Sequence, residues 1–355
     1  LRNKINYLGK EVIQNILLLK FANPIFENVL NNKFVDSIDF VLDEAKLEAI
    51  CLKAYEDATK ERGIFSKGIR RFLPQWNIPK ELENLPQTDE PKEQRLATQY
   101  LWTCVFFERM NLSDVITRNA HKVWHNPRKS WIFDPQKVAE QKETEIETIL
   151  RQDFQFNLQG NGEENPAKRF SFNAKHLVDN YQGDPRKLIE YKNIDQARAR
   201  LMEFKGIGTG IANLFIIYMI DRKLASPIDP ENAFLKVDIH KGRIPINCEA
   251  VTPTNAEIYR DESYVRTLER AYREICKKNK LDPHILDAVL WVIGSKGCAR
   301  NDYSHCQMEC PLFENCAGNT PEDKETGRYL VEINGVKTDS RRRQGQLVFF
   351  PLSSI

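Results

Sequence analysis

The stretch that decides the fold is FKGIGTGIANLF, Phe204–Phe215. Gly206, Gly208 and Gly210 alternate with larger residues, and an apolar, helix-like run follows. Leu201, Met202 and Phe204 close the preceding helical pattern, NIDQARARLMEF. Lys205, Gly206, Ile207 and Gly208 then read as a tight connection, with Thr209 placed to cap the next helix. Glycine permits positive φ and leaves backbone N–H groups unshielded. The positive end of the second helix stands behind those amides, so together they suit a phosphate. Ile207 is expected to point inward and lock the hairpin. A plain helix–helix turn satisfies the same pattern without any ligand.

A chain of 355 residues has room for two or three domains. Its 41% hydrophobic and 29% charged residues describe a soluble globular protein. No unbroken apolar run is long enough for a membrane span, and the N-terminus shows no cleavage site of the signal-peptide kind. A net charge of +2 neither announces nor excludes a nucleic-acid partner, because local clusters outweigh the sum. KERGIFSKGIRRFLPQW is one such cluster. Lys60, Arg62, Lys67, Arg70 and Arg71 interleave there with Phe65, Phe72 and Trp76, as on single-stranded nucleic-acid surfaces, although a solvated face over buried rings reads the same way.

Helical patterns dominate from ATQYLWTCVFFERM, apolar almost all round like a central helix, to the end of the glycine stretch. DPQKVAEQKETEIETILRQ opens on Asp134 with Pro135 at the first helical position. SDVITRNAHKVW opens on Ser113 or Asp114. The tail changes character: RYLVEINGVKTD sets Asn334-Gly335 between alternating residues, which predicts a hairpin. SRRRQGQLVFFPL offers a further strand.

Four of the eight cysteines, Cys51, Cys104, Cys248 and Cys276, are scattered among apolar neighbours and read as inert core residues. The other four form CARNDYSHCQMECPLFENC, spaced C-x7-C-x3-C-x5-C, with ligands Cys298, Cys306, Cys310 and Cys316. Zinc sites usually show two short knuckles. One long arm followed by a compact remainder better suits a [4Fe–4S] cubane on four thiolates, with zinc the alternative and His305 a candidate ligand in that case, though otherwise a surface residue. One tight cluster in a chain of this size argues against a disulfide scaffold and for a reducing, intracellular compartment. Lys296 and Arg300 edge the loop with positive charge that can press on phosphates.

KVDIHKGRIPI places Asp238 before a helical turn. Helix capping is one of the commonest tasks of Asp, and a capping carboxylate stays ionised and can still face a pocket.

The hairpin, V-D-x-H and four cysteines, in that order, resemble the helix-hairpin-helix (HhH-GPD) DNA glycosylases of the endonuclease III type. There the pattern runs L-P-G-V-G-R-K-T-A-N, V-D-T-H and C-x6-C-x2-C-x5-C. Here it runs F-K-G-I-G-T-G-I-A-N, V-D-I-H, and cysteines with one more residue in each of the first two gaps. LWVIGSKGC matches the helix before the family's first ligand, and the likeness covers roughly residues 97–317. The resemblance implies a mainly α fold of two lobes, a six-helix barrel and a cluster domain, with DNA crossing between them. The expected domains are an N-terminal helical extension (1–95), the barrel with its hairpin (96–232; hairpin about 193–221), the aspartate and cluster domain (233–318), and a β tail (319–355). It implies a base flipped from duplex DNA, amides of residues 205–210 on a phosphate, often through a monovalent cation, and Asp238 stabilising an oxocarbenium-like sugar or activating the nucleophile. Glu108 falls near a glutamate that protonates the base in adenine-removing relatives, one register off, and so reads as a helix-surface carboxylate. Asn111 falls near the wedge that fills the gap left by the base.

Gly210 departs from the family. Bifunctional members carry a lysine there whose amine attacks the sugar; glycine cannot, so a monofunctional glycosylase using water is expected, with Lys205 and Lys241 as the candidate replacements for that amine. The connection to Asp238, LASPIDPENAFLK, is also longer than usual. The expected partner is double-stranded DNA, bound by a monomer. A silent DNA-binding or lesion-sensing module, or an N-glycosidase acting on RNA or nucleosides, are the alternatives.

Overall fold

The computed structural model describes residues 40–316, apart from 77, 84–90, 109–112, 157, 159–164, 254–257, 259–260 and 299–302, together with 330–333 and 336–339. Contacts divide the chain after Asp39, and every described residue belongs to the second unit. The protein is mainly helical.

The centre is a pair of helices with no polar face. Helix α2 follows α1 (Glu44–Thr59) and spans Pro91–Phe107; Tyr100, Leu101, Trp102, Val105 and Phe107 on it are buried. Its partner α8, Thr209–Asp221, is buried from Ala212 to Met219. A helix apolar all round must lie inside other helices. Those are α3 (Ser113–Trp124), α4 (Pro135–Glu140), α5 (Glu143–Gln152), α6 (Pro166–Tyr181) and α7 (Ile194–Met202). Phe107 meets Phe154, Phe156 and Phe170 at centroid distances of 4.8, 5.2 and 5.0 Å. Such offset and edge contacts add to the area they bury.

Local chemistry fixes the starts. The Asp134 carboxylate accepts from Gln136 N with Pro135 behind it, and Asn193 forms a capping box with Gln196 ahead of α7. DPQKVAEQKETEIETILRQ is two helices, not one. Gln141 and Lys142 are extended, because EQKET offers nothing apolar to bury between Ala139 and Ile146. Ser113 is the first residue of α3.

The second half packs α9 (Ile239–Asn247), α10 (Glu262–Asn279) and α11 (Pro283–Val292) with α1. A short antiparallel pair, β1 (Phe40–Leu42) with β2 (Val251–Pro253), joins the two ends of this group, Leu42 opposite Val251. Helix α12 (Tyr303–Glu309) lies within the cysteine loop. Strands β3 (Leu330–Ile333) and β4 (Val336–Asp339) pair antiparallel as predicted, Ile333 opposite Val336; Asn334-Gly335 and SRRRQGQLVFFPL lie outside the described residues. Among the described residues, no helix is long and apolar enough to cross a membrane.

Candidate active site

The glycine stretch joins α7 to α8 as read. Gly206 has φ +79°, a conformation that suits glycine, and Ile207 is buried. The cap is not Thr209 but Gly208, which is extended; Thr209 is the first helical residue, and no side chain caps the N–H groups of the first turn. Open space surrounds the place where a Cβ on Gly208 would sit. Two anchors hold the turn. Phe204 packs edge-on against Trp102 at 5.0 Å, and the Asn173 side chain accepts from Lys205 N at 2.8 Å and donates to Lys205 O at 2.9 Å. The Lys205 ammonium lies 4.2 Å from the Phe172 ring centroid, a cation–π contact.

Helix α8 runs from this turn into a narrow cleft with about 20 Å³ of free volume, room for about one water molecule. Leu214, Ile217 and Tyr218 line it from α8, Glu108 from the end of α2, Lys236 and Asp238 from the segment before α9, and Leu73, Pro74 and Gln75 from the N-terminal side. Asp238 caps α9, its Oδ1 accepting from His240 N at 2.9 Å and Lys241 N at 3.1 Å. Burial pushes its pKa up, but the charges of Lys241, His240 and Lys236 and the Lys241 amide outweigh that and hold it below the usual Asp value. Asp238 is therefore a carboxylate at neutral pH.

Glu108 is not a surface residue. Its side chain is 6% exposed; Oε1 accepts from the Tyr218 hydroxyl at 3.2 Å and Oε2 from Lys236 Nζ at 3.3 Å. Lys236 was not foreseen. Residues two apart in an extended segment share a face, so K-V-D carried the signal that Lys236 accompanies Asp238. The Lys236 side chain also occupies the neighbourhood that Gly210 leaves: a Cβ on Gly210 would lie 4.0 Å from Lys236 Cγ. Burial disfavours its charge, but Glu108 and Asp238 overcome this and raise its pKa above the ordinary lysine value. Lys241, 1% exposed, donates to Asp287 Oδ1 at 2.7 Å and to Lys236 O at 2.9 Å. Burial raises the Asp287 pKa despite that partner. Asn213 on α8 donates to Leu235 O at 3.2 Å, and Asp287 accepts from Lys236 N at 2.8 Å, so the segment carrying Asp238 is pinned on both sides.

Helix α9 also touches the helix that leads to the first cysteine. A Cβ on Gly294 would lie 2.6 Å from His240 O, so only glycine lets the two backbones approach this closely. Beyond it, Cys306 packs with Cys310, Phe313 and Cys316. Burial pushes the Cys310 thiol up, and so do the neighbouring Cys298, Cys306 and Cys316, whose charges reach it. Cys248 belongs with them and not with the scattered cysteines. Its thiol is raised by a hydrogen bond with Cys316, then by burial and the charges of Cys316, Cys310 and Cys298. Among the described residues, no three His, Cys, Asp or Glu side chains draw together as ligands of one ion. His305 is buried, against the expectation of a surface residue, with Nδ1 3.5 Å from Glu309 Oε2. Lys296 donates to Asp114 Oδ2 at 2.6 Å. Asn111 and Arg300 lie outside the described residues.

No protein-family model and no solved structure matches the chain. Short stretches resemble glucose-6-phosphate 1-dehydrogenases: 49% identity over 39 residues with that of Borreliella burgdorferi and 51% over 39 residues with that of Streptococcus pneumoniae. Each match covers 11% of this chain and 8% of the relative. The likeness is confined to that short stretch and extends no dehydrogenase reading to the remainder.

Proposed function

We propose that this chain is a DNA glycosylase of the helix-hairpin-helix class, with the barrel and cluster lobes of that fold, which hydrolyses the N-glycosidic bond of a damaged, mismatched or modified base flipped out of duplex DNA. One observation carries the reading: α8 starts at first-turn amides that no side chain caps and lines, two turns later, the cleft that holds the ionised Asp238. A phosphate on those amides, direct or through a monovalent cation, would set the register of the strand. The sugar would then reach Asp238, whose carboxylate stabilises the positive charge that grows as the bond to the base breaks. To protonate the leaving base, Glu108 would first have to take a proton from the Lys236 ammonium, whose hydrogen bond it accepts.

Water is the nucleophile in this reading. Gly210 has no amine. Lys236 is held by Glu108 and Lys241 by Asp287, and Lys236, with its pKa raised, is a poor attacking group. Cys298, Cys306, Cys310 and Cys316 would hold a [4Fe–4S] cluster. The charges of Cys298, Cys306 and Cys316 reach the Cys310 thiol, and the C-x7-C-x3-C-x5-C spacing, one long arm and a compact remainder, favours a polynuclear group over a single zinc. When bound, the cluster stiffens and charges the loop beside the DNA path.

Asp238→Asn tests the reading cleanly. Asn caps a helix about as well as Asp, so the fold should persist while the charge is lost. Single-turnover release of base from modified duplexes should fall by roughly 10²–10³-fold with duplex affinity retained. Undiminished release would remove Asp238 from the mechanism, and no release by the wild type from any duplex would favour a silent DNA-binding module. Strand cleavage should need alkali, and borohydride should trap no covalent adduct; a trapped adduct lost in Lys236→Gln would make Lys236 the nucleophile.

A further inference from the structure

Gln75 lines the same cleft as Glu108 and Asp238 and is only 4% exposed. Its Nε2 donates to Asp221 Oδ2 at 3.2 Å, an oxygen that also accepts from Trp76 Nε1 at 2.5 Å. A carboxylate accepts only, so this contact fixes the amide: nitrogen toward Asp221, oxygen away from it. That oxygen, Oε1, is buried and has no hydrogen-bond partner among the described residues. Buried carbonyl oxygens without partners are rare and ask for an explanation. The neighbouring polar groups of the cleft are, by contrast, engaged: Glu108 with Tyr218 and Lys236, and Asp238 with two amides.

The residue is also held rigidly. Trp76 lies between the Arg70 and Arg222 guanidiniums at 4.2 and 4.1 Å from its ring centroid. The same segment packs against the cysteine region through Ile64, whose Cδ1 lies 3.5 Å from where a Cβ on Gly297 would sit. A fixed acceptor on a pocket wall is a selectivity element, because a ligand lacking the matching donor leaves it unpaired.

We infer that Gln75 Oε1 is the acceptor that selects the extruded base, and that the base placed against it presents an N–H donor, an exocyclic amine or a ring imino group. The assignment rests on reading the cleft as a base pocket. It gives the segment before α2 a role in substrate choice that the hairpin, Asp238 and the cysteines leave unassigned.

The test uses the full chain and duplexes that differ at one base by a single donor: adenine against purine, 2-aminopurine against purine, cytosine against pyrimidin-2-one, uracil against 3-methyluracil. An abasic-site duplex serves as the control for DNA binding. The wild type should bind or process the donor-bearing member of at least one pair roughly 10-fold or more in preference to its partner, and Gln75→Met should bring the two members of that pair level. Because the first comparison uses only wild-type protein, it stands whatever the variant does to folding. Absence of preference in every pair, with the abasic duplex bound, overturns the role of Gln75 alone. Preference that survives in Gln75→Met also overturns it. Failure to bind any duplex, abasic included, overturns the glycosylase reading and this inference together.

Discussion

Asp238 does two jobs with one carboxylate. Its Oδ1 satisfies two amides that α9 would otherwise leave unpaired, and its charge faces a cleft that no neutral cap would serve. Burial alone would push it toward the neutral acid, but Lys241, His240 and Lys236 reverse that. The sign has a consequence for activity. A carboxylate held below its ordinary pKa, about 3.9, stays ionised through mildly acid pH, so the Asp238 contribution to the excision rate should not decline as pH falls from 7 to about 5. Single-turnover rates across that range check it, with duplex binding saturated at each pH. A fall in rate centred near pH 6 would show that another group, and not Asp238, sets the acid limb. The same sign governs stability: the stabilisation from ionised Asp238 is present above its unfolded value and is lost only as pH drops through the lower folded one.

At the scale of elements, the close approach of α9 to the turn after α11 couples the aspartate to the cysteines. Gly294 sits against the His240 backbone, and an added methyl has no flexible side chain to push aside. Gly294→Ala should destabilise by about 1–3 kcal/mol and lower Tm, as read by circular dichroism, with a larger loss of excision than of duplex affinity. The hairpin amides lie on a different element. A variant that melts like the wild type would show that the contact relaxes freely. This contact was only partly visible in advance. LWVIGSKGC announced a helix into the cysteine loop, but a single chain does not say which glycine marks a crossing and which a turn. The hairpin was legible because glycines at alternate positions punctuate helices in a way few other residues can, and Asp238 was legible because it stands before a helical turn in a V-D-x-H pattern. Asn173 was not, since nothing local distinguishes an Asn that grips a backbone 32 residues away from one facing solvent. Glu108 was misplaced for the same reason: a carboxylate at the end of a buried helix looks like a surface residue until Tyr218 and Lys236 arrive from elsewhere. Thr209 was taken for the cap because threonine often serves there, whereas the turn hands that position to Gly208 and leaves the first amides of α8 open.

Across the whole molecule, the cysteine loop, the segment Gly63–Trp76 and the Asp238 cleft form one continuous body. A Cβ on Gly63 would strike the backbone of Glu309, at the end of α12, and Ile64 abuts Gly297; ten residues on, Leu73, Pro74 and Gln75 wall the cleft. The loop therefore braces the wall of the pocket from outside, while the aromatic core of α2, α6 and α8 rests on contacts that do not involve the loop cysteines. Local stability follows such packing, and units opened by different losses exchange independently. With the proposed cluster in place on the four cysteines, removing its iron, measured before and after, should thus abolish amide-hydrogen protection over about residues 62–76 and 293–316 while α2, α6 and α8 keep theirs. Base release should fall further than binding to duplex DNA, because the hairpin amides stay in place as the pocket wall loosens. Uniform loss of protection along the chain would show that the loop supports the entire fold and not this wall. Unchanged protection over 62–76 would break the link between cysteine loop and pocket, and leave that segment braced by Trp76 stacked between Arg70 and Arg222 alone.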